Sequence, residues 1–272
     1  NNEINGLTLG GVGAGTTLEN IQVSYGLDDG FEFFGGTVNA KNVISFGNTD
    51  DDFDFDFGYT GNIQFAVALR DPSVQSFLSS DPNGIESDND GAGSASTPRT
   101  HPVLSNFTIL GYNGNPTGLL NGVRFRRASQ FELRNSLIAG WNNSGAFFDG
   151  TATLNDLISG TSTFKNNAVQ GAMDDINPNP LATWVGYANN SPLQLGTSPS
   201  PTSFVGLANP FFVSNPNFGY VNPASPAASN YNYIGLPAFF NTTLTYRGAF
   251  GPVSGGRWDD FWASYQPKTN AY

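Results

Sequence analysis

Three features of the sequence predict an all-β fold, a right-handed parallel β-helix followed by an irregular Pro- and Asn-rich C-terminal segment. A rhythm of apolar-x-Asn-x-x-apolar-x-Gly recurs with small insertions, and its first two copies stand 22 residues apart at their Asn. That spacing is the length of one coil made of short strands and bends. Between bends, apolar and polar residues alternate with period two, and no long 3.6-residue pattern competes.

The copies are Leu18-Glu-Asn20-Ile-Gln-Val23-Ser-Tyr-Gly26 and Ala40-Lys-Asn42-Val-Ile-Ser-Phe-Gly47, then Leu104-Ser-Asn106-Phe, Leu133-Arg-Asn135-Ser and Phe164-Lys-Asn166-Asn. Asn62-Ile63-Gln64-Phe65 gives a further register 20 residues after Asn42, and the larger gaps beyond it leave room for inserted loops. Asn suits such a bend because it tolerates the left-handed conformation and its amide can stack on the next rung. Ile63, Phe65, Val67 and Leu69 alternate with Gln64, Ala66, Ala68 and Arg70, as do Phe53, Phe55 and Phe57 with Asp52, Asp54 and Asp56. An antiparallel sandwich also explains alternation, but not the constant offset. Proline concentrates after residue 175, which divides the chain into β-helix coils with inserted loops, 1–175, and an irregular wrapping or capping segment, 176–272. The aromatic tail of Trp258, Phe261, Trp262, Tyr265 and Tyr272 is expected over the end of the helix.

Composition narrows the function. The chain has 272 residues, no Cys, one His and a net charge of −11. This excludes thiolate metal sites, cysteine nucleophiles and a histidine-rich metal centre, and it argues against a nucleic-acid partner or an anionic membrane surface. No stretch is long and apolar enough for a membrane helix.

Carboxylates gather early in the chain. At an offset of 22, Asp28-Asp29-Gly30-Phe31-Glu32-Phe33 falls on Asp50-Asp51-Asp52-Phe53-Asp54-Phe55 without a gap. With Phe31, Phe53 and Phe55 inward, Asp28 and Glu32 on one rung and Asp50, Asp52, Asp54 and Asp56 on the next face outward, on rungs about 4.8 Å apart. Such crowding requires compensation, and basic residues are scarce here. Calcium, which takes 6–8 oxygen ligands, is therefore the expected cofactor, with Asp28, Asp29, Glu32, Asp50, Asp51, Asp52, Asp54 and Asp56 as candidate ligands. The bland reading is a solvated acidic strand. Asp88 and Asp90 form a second acidic turn that an Asx turn explains equally well. Arg124, Arg126 and Arg127 form the only basic cluster, suited to an acidic glycan or a neighbouring acidic face, or simply exposed on a strand.

The run Asp28-Asp29-Gly30-Phe31-Glu32 resembles the calcium motif Asp-Asp-Gly-Trp-Asp of β-helical pectate lyases. More broadly, the stretches from Asn2, Asp28 and Asp51 and the late Tyr246-Arg-Gly-Ala-Phe-Gly251 resemble a poorly characterised family of secreted surface β-helix proteins of Bacteroidota. That resemblance implies export to the cell surface, further coils before residue 1, and a structural, adhesive or glycan-binding role. The lyase resemblance implies a calcium-dependent β-elimination on polyuronates, with Lys41 or Arg70 as the base. Glu32 departs from that motif's final Asp. A carbohydrate-binding module without turnover is a third reading. Expected partners are other surface proteins, upstream coils or another copy at the N-terminal rung, and polysaccharide, with no nucleic acid and no direct membrane insertion. Leu7 and Leu9 mark that first rung.

Overall fold

The computed structural model describes residues 4–74, 81–114, 118–178, 193–194 and 205–269. Short and long strands alternate along the chain and stack in parallel into two sheets. Sheet A holds the short strands β1 (Leu7–Gly10), β3 (Phe31–Phe34), β5 (Phe53–Asp56), β7 (Ile85–Ser87), β9 (Asn121–Phe125), β12 (Ser144–Phe148) and β15 (Asp174–Asn177). Sheet B holds β2 (Thr17–Ser24), β4 (Asn39–Phe46), β6 (Asn62–Leu69), β8 (Val103–Leu110), β11 (Leu137–Trp141), β14 (Ala168–Gly171) and β16 (Leu193–Gln194), with β10 (Glu132–Arg134) and β13 (Thr163–Lys165) alongside. One strand from each sheet makes a coil, so the protein is an all-β parallel β-helix. Strands of both sheets continue past residue 175.

The expected register holds in sheet A, where Phe31 pairs with Phe53 and Phe33 with Phe55. These four rings are buried and stack in two columns with centroids 5.2 Å apart in each. Offset stacking at this distance adds to the area buried. Leu7 is half-buried and Leu9 buried on the first coil.

Sheet B bends in each coil at a residue with positive φ: Asn20 (57°), Asn42 (56°), Phe65 (64°) and Asn106 (60°) within β2, β4, β6 and β8, and Asn135 (50°) and Asn166 (55°) between β10 and β11 and between β13 and β14. Asn accepts this left-handed conformation at low cost, which explains the recurrence. The third rung differs from expectation. Lys41 pairs with Gln64 and Val43 with Ala66, so Phe65 and not Asn62 lies above Asn42. A side chain without an amide therefore interrupts the ladder that starts with Asn42 Nδ2 donating to Asn20 Oδ1 at 3.1 Å.

The second halves of β4, β6 and β8 are buried on both faces, which explains unbroken apolar runs such as Ala66-Val-Ala-Leu69. Their outer side chains, including Ile44, Phe46, Val67, Leu69 and Leu110, form a second core under the C-terminal segment with Val205, Phe218, Tyr220 and Phe250. In that segment β17 (Leu207–Asn209) and β18 (Asn217–Tyr220) pair antiparallel. The aromatic tail covers this side of the helix and not its end: Tyr265 meets Phe46 edge-on at 5.7 Å, Trp258 stacks on Phe250 at 4.7 Å and on Trp262 at 6.0 Å. The physical reason is that sheet B leaves an apolar outer face that must be covered. Phe261 is exposed, and Tyr272 lies outside the described residues. No described helix is long and apolar enough to cross a membrane.

Candidate metal centre

The chain turns before each strand of sheet A, and a ladder of short side chains runs through these turns. The Asp29 N–H donates to Asn5 Oδ1 at 3.2 Å, the Asp51 N–H to Asp29 Oδ1 at 2.9 Å, and the Asn83 N–H to Asp51 Oδ1 at 2.6 Å. Asn121 Nδ2 continues it by donating to Asn83 Oδ1 at 3.1 Å. One acceptor oxygen per rung satisfies a turn N–H, and an amide supplies that oxygen as well as a carboxylate does. Asn5 does so, while Asn83 accepts from the Asn121 side chain instead. Asp29 and Asp51, in the middle, add a charge the ladder does not use.

That charge lies where other carboxylates converge. Glu32 pairs with Asp54 and Asp54 with Glu86 across β3, β5 and β7, and the two-residue alternation sends all three to the outer face of sheet A. Ligand oxygens fall within 4.8 Å of one another in three overlapping sets: Asp28, Asp29 and Asp50; Asp29, Glu32 and Asp54; Asp51, Asp54 and Glu86. Asp54 Oδ1 is sealed from solvent and accepts no hydrogen bond. Burial first, then the neighbouring charges led by Asp54, pushes the Asp29 carboxyl up to about 10. Burial and Asp51 likewise push Glu86 up to about 10, against the pull of Arg126. Asp51 and Asp54 are raised well above the usual carboxylate range, by burial and then by Asp29 and Glu86 respectively. An all-oxygen donor set of flexible, mostly acidic side chains suits a hard cation of calcium's size.

The structure redistributes several residues named from the sequence. Asp52 does not face outward. It is fully buried, its Oδ2 2.9 Å from Arg70 Nε, and the Ser45 hydroxyl donates to its Oδ1 at 2.5 Å. Arg70 is buried too and donates to the Asn48 carbonyl at 2.8 Å and the Asn83 carbonyl at 2.5 Å. Lys41 belongs to β4 in sheet B, its Nζ 4.5 Å from the centre of the Phe239 ring. Asp56 is half-buried, accepts the Phe57 N–H at 2.6 Å and stands outside the three sets; burial raises its carboxyl to about 6. Asp90 closes its own turn by accepting the Ser94 and Ala92 N–H groups at 2.9 and 3.0 Å.

Arginine neutralisation is present after all, from later in the chain. Arg126 contacts Glu86 through Nη2 and donates to Asp88 through Nε at 2.8 Å, while Arg127 donates to Asp88 at 2.6 Å. Arg124 ion-pairs with Asp81 and, at 2.6 Å, with Asp149. These three side chains are counter-charges at the upper end of the acidic face. Burial opposes the Arg126 charge, but Glu86 and Asp88 hold its pKa above the usual value.

Glu86 was missed in the sequence because an insertion separates it from the first two acidic runs. The signal is nevertheless there: Gly84-Ile85-Glu86 repeats Gly30-Phe31-Glu32.

Stacked parallel coils with carboxylates collected on the outer face of the short-strand sheet define a parallel β-helix that carries a candidate metal centre. Residues 1–189 match the family model described as a pectate-lyase like beta helix domain, and the chain belongs to that family. Comparison with curated proteins and with solved structures returns no significant match.

Proposed function

We propose that this chain is a calcium-binding β-helix of a secreted or cell-surface protein, with a structural, adhesive or glycan-binding role. The observation that carries the cation is the substitution of Asp for Asn at two central positions of one ladder. Asn5 accepts the Asp29 N–H through an uncharged amide, as Asp29 and Asp51 accept the N–H groups of their next rungs, so the two carboxylates serve something other than the turn. With Asp28, Glu32, Asp50, Asp54 and Glu86 they offer seven carboxylates, and both Arg126 and, at 4.0 Å, Arg124 set guanidinium groups at Glu86. A bound divalent cation would relieve that repulsion and stabilise the folded state by mass action. Family membership supports the polysaccharide-related part of the reading.

The test is metal analysis of the purified protein together with melting curves in calcium and in EDTA. Bound calcium and a lower melting temperature in EDTA are expected. A metal-free protein that melts at one temperature in both overturns the reading.

The family also favours a second reading, a calcium-dependent lyase on polyuronates. A base for proton abstraction must reach the substrate, whereas Arg70 is buried beneath Asp52 and Lys41 lies in the other sheet. Release of unsaturated uronates from pectin or alginate, abolished by chelator, would establish it.

A further inference from the structure

Beyond the acidic rungs, the outer face of sheet A continues into a groove of about 560 Å³. It crosses successive coils: Asn121 and Arg124 lie on β9, Ser144 and Phe147 on β12, Asp174 and Asn177 on β15. Asn143 and Met173, from the turns between coils, complete the rim. We propose that this groove binds a neutral, hydroxyl-rich glycan chain. The inference rests on the glycan-binding part of the reading above and gives it a place and a ligand class.

Three properties carry it. The lining mixes amides, a hydroxyl and carboxylates with apolar surface from Phe147 and the largely exposed Met173, the pairing that orients and covers a sugar ring. Its rungs follow one another at about 4.8 Å, close to the length of one sugar residue, so an extended polymer meets a new rung at each residue, with Arg124, Phe147 and Asn177 in register across three of them. Several are fixed in place: Ser144 pairs with Asn121 on one side and Asp174 on the other, and Asn121 is held by Asn83.

Charge decides between a neutral and an acidic chain. Among the described residues the only cation in the lining is Arg124, whose guanidinium is already held by Asp81 and Asp149. Asp81 and Asp174 also face the groove, and the acidic rungs begin beside it. A polyuronate would bring further negative charge to this face of a protein with net charge −11. A neutral polymer meets no such repulsion, and its hydroxyls can donate to the carboxylates and amides.

The experiment measures binding of the whole chain, in calcium and in EDTA, to a panel of neutral polysaccharides and to polygalacturonate and alginate. Phe147→Ala and Asn143→Ala serve as groove variants, and Ile234→Ala, in the C-terminal segment, as the control. Melting curves confirm folding of each. A neutral polysaccharide should bind, about tenfold more weakly to each folded groove variant and unchanged to the control. Preference for a polyuronate, equal binding by the groove variants, or binding to no glycan overturns the proposal. Should a groove variant fail to fold, Met173→Ala at the exposed rim replaces it under the same criteria. Loss of calcium binding with neutral-glycan binding intact would overturn the cation reading and leave this one standing.

Discussion

Two stacks of side chains run along the helix, one at the bends of sheet B and one in the turns before sheet A, and they differ in charge and in cover. At the bends the stack is neutral and, from Asn106 onwards, roofed by the C-terminal segment. Asn106 Nδ2 donates to the Tyr233 hydroxyl at 2.8 Å and the Gly248 carbonyl at 3.1 Å, Asn135 Nδ2 to the Asn232 carbonyl at 3.0 Å, and Asn166 Nδ2 to the Asn230 carbonyl at 3.0 Å. Arg247, fully buried, ties that roof down by donating to the carbonyls of Asn167 at 3.0 Å and Asn230 at 3.1 Å. In the turns the stack instead accepts backbone N–H groups of the next rung and carries two carboxylates in its middle. The difference teaches that ordering a coil needs only an amide oxygen per rung. On the calcium reading proposed above, the charge at Asp29 and Asp51 serves a cation, while amides at the bends serve an internal interface.

The largest effect should come from the core both stacks share. Phe53→Ala removes a ring packed on Phe31 and against Phe107 and should cost about 3–5 kcal/mol by transfer and cavity terms together. Denaturant unfolding checks it, and a wild-type midpoint would mean that the register is wrong.

Next comes the neutral stack. Asn106→Ala leaves the Tyr233 hydroxyl and the Gly248 carbonyl short of a partner in a buried place and should cost about 1–3 kcal/mol. The loss should be equal in calcium and in EDTA. A calcium-dependent loss would erase the distinction between the stacks.

The acidic stack should respond with the opposite sign. Asp29→Asn with Asp51→Asn keeps each acceptor oxygen and removes two carboxyls that must take up protons to fold without metal near neutral pH, so the melting temperature in EDTA should rise. The same variant should no longer gain from calcium. A melting temperature in EDTA below that of wild type would show that the carboxylates serve the turns better than amides do.

A gentler probe of the same stack is pH. Asp29 and Glu86 titrate near 10 in the folded metal-free chain, against about 4 when unfolded. Between those values the folded state holds more protons than the unfolded one, so stability is full below about pH 4 and falls as pH rises towards 10. Melts in EDTA should therefore move down between pH 5 and pH 8, and calcium should flatten that slope. A rise with pH in EDTA would contradict the crowding.

Much of this was legible in the sequence. The Asn rhythm gave the coil, and the gap-free match of Asp28–Phe33 with Asp50–Phe55 gave the pairing of Phe31 with Phe53 that the structure contains. What failed were properties that need a neighbour from another rung. Phe65 took the ladder position because a coil can lengthen by one residue without disturbing its strands. Asp52 turned inward because Arg70, at the end of β6, offered it a buried partner, and period-two counting cannot see that partner. Arg126 reaches Glu86 across neighbouring strands, a counter-charge that residues 28–56 alone do not contain. The aromatic tail went to the side because sheet B is apolar on both faces, which the run Ala66–Leu69 already hinted at.

The most direct test of the central claim is calorimetric titration of calcium into chelator-stripped protein near neutral pH, wild type beside Asp29→Asn with Asp51→Asn. The account predicts saturable binding to wild type and its loss in the variant, whose fold survives because the ladder oxygens remain. Absence of binding to wild type, or equal binding by both proteins, would contradict it.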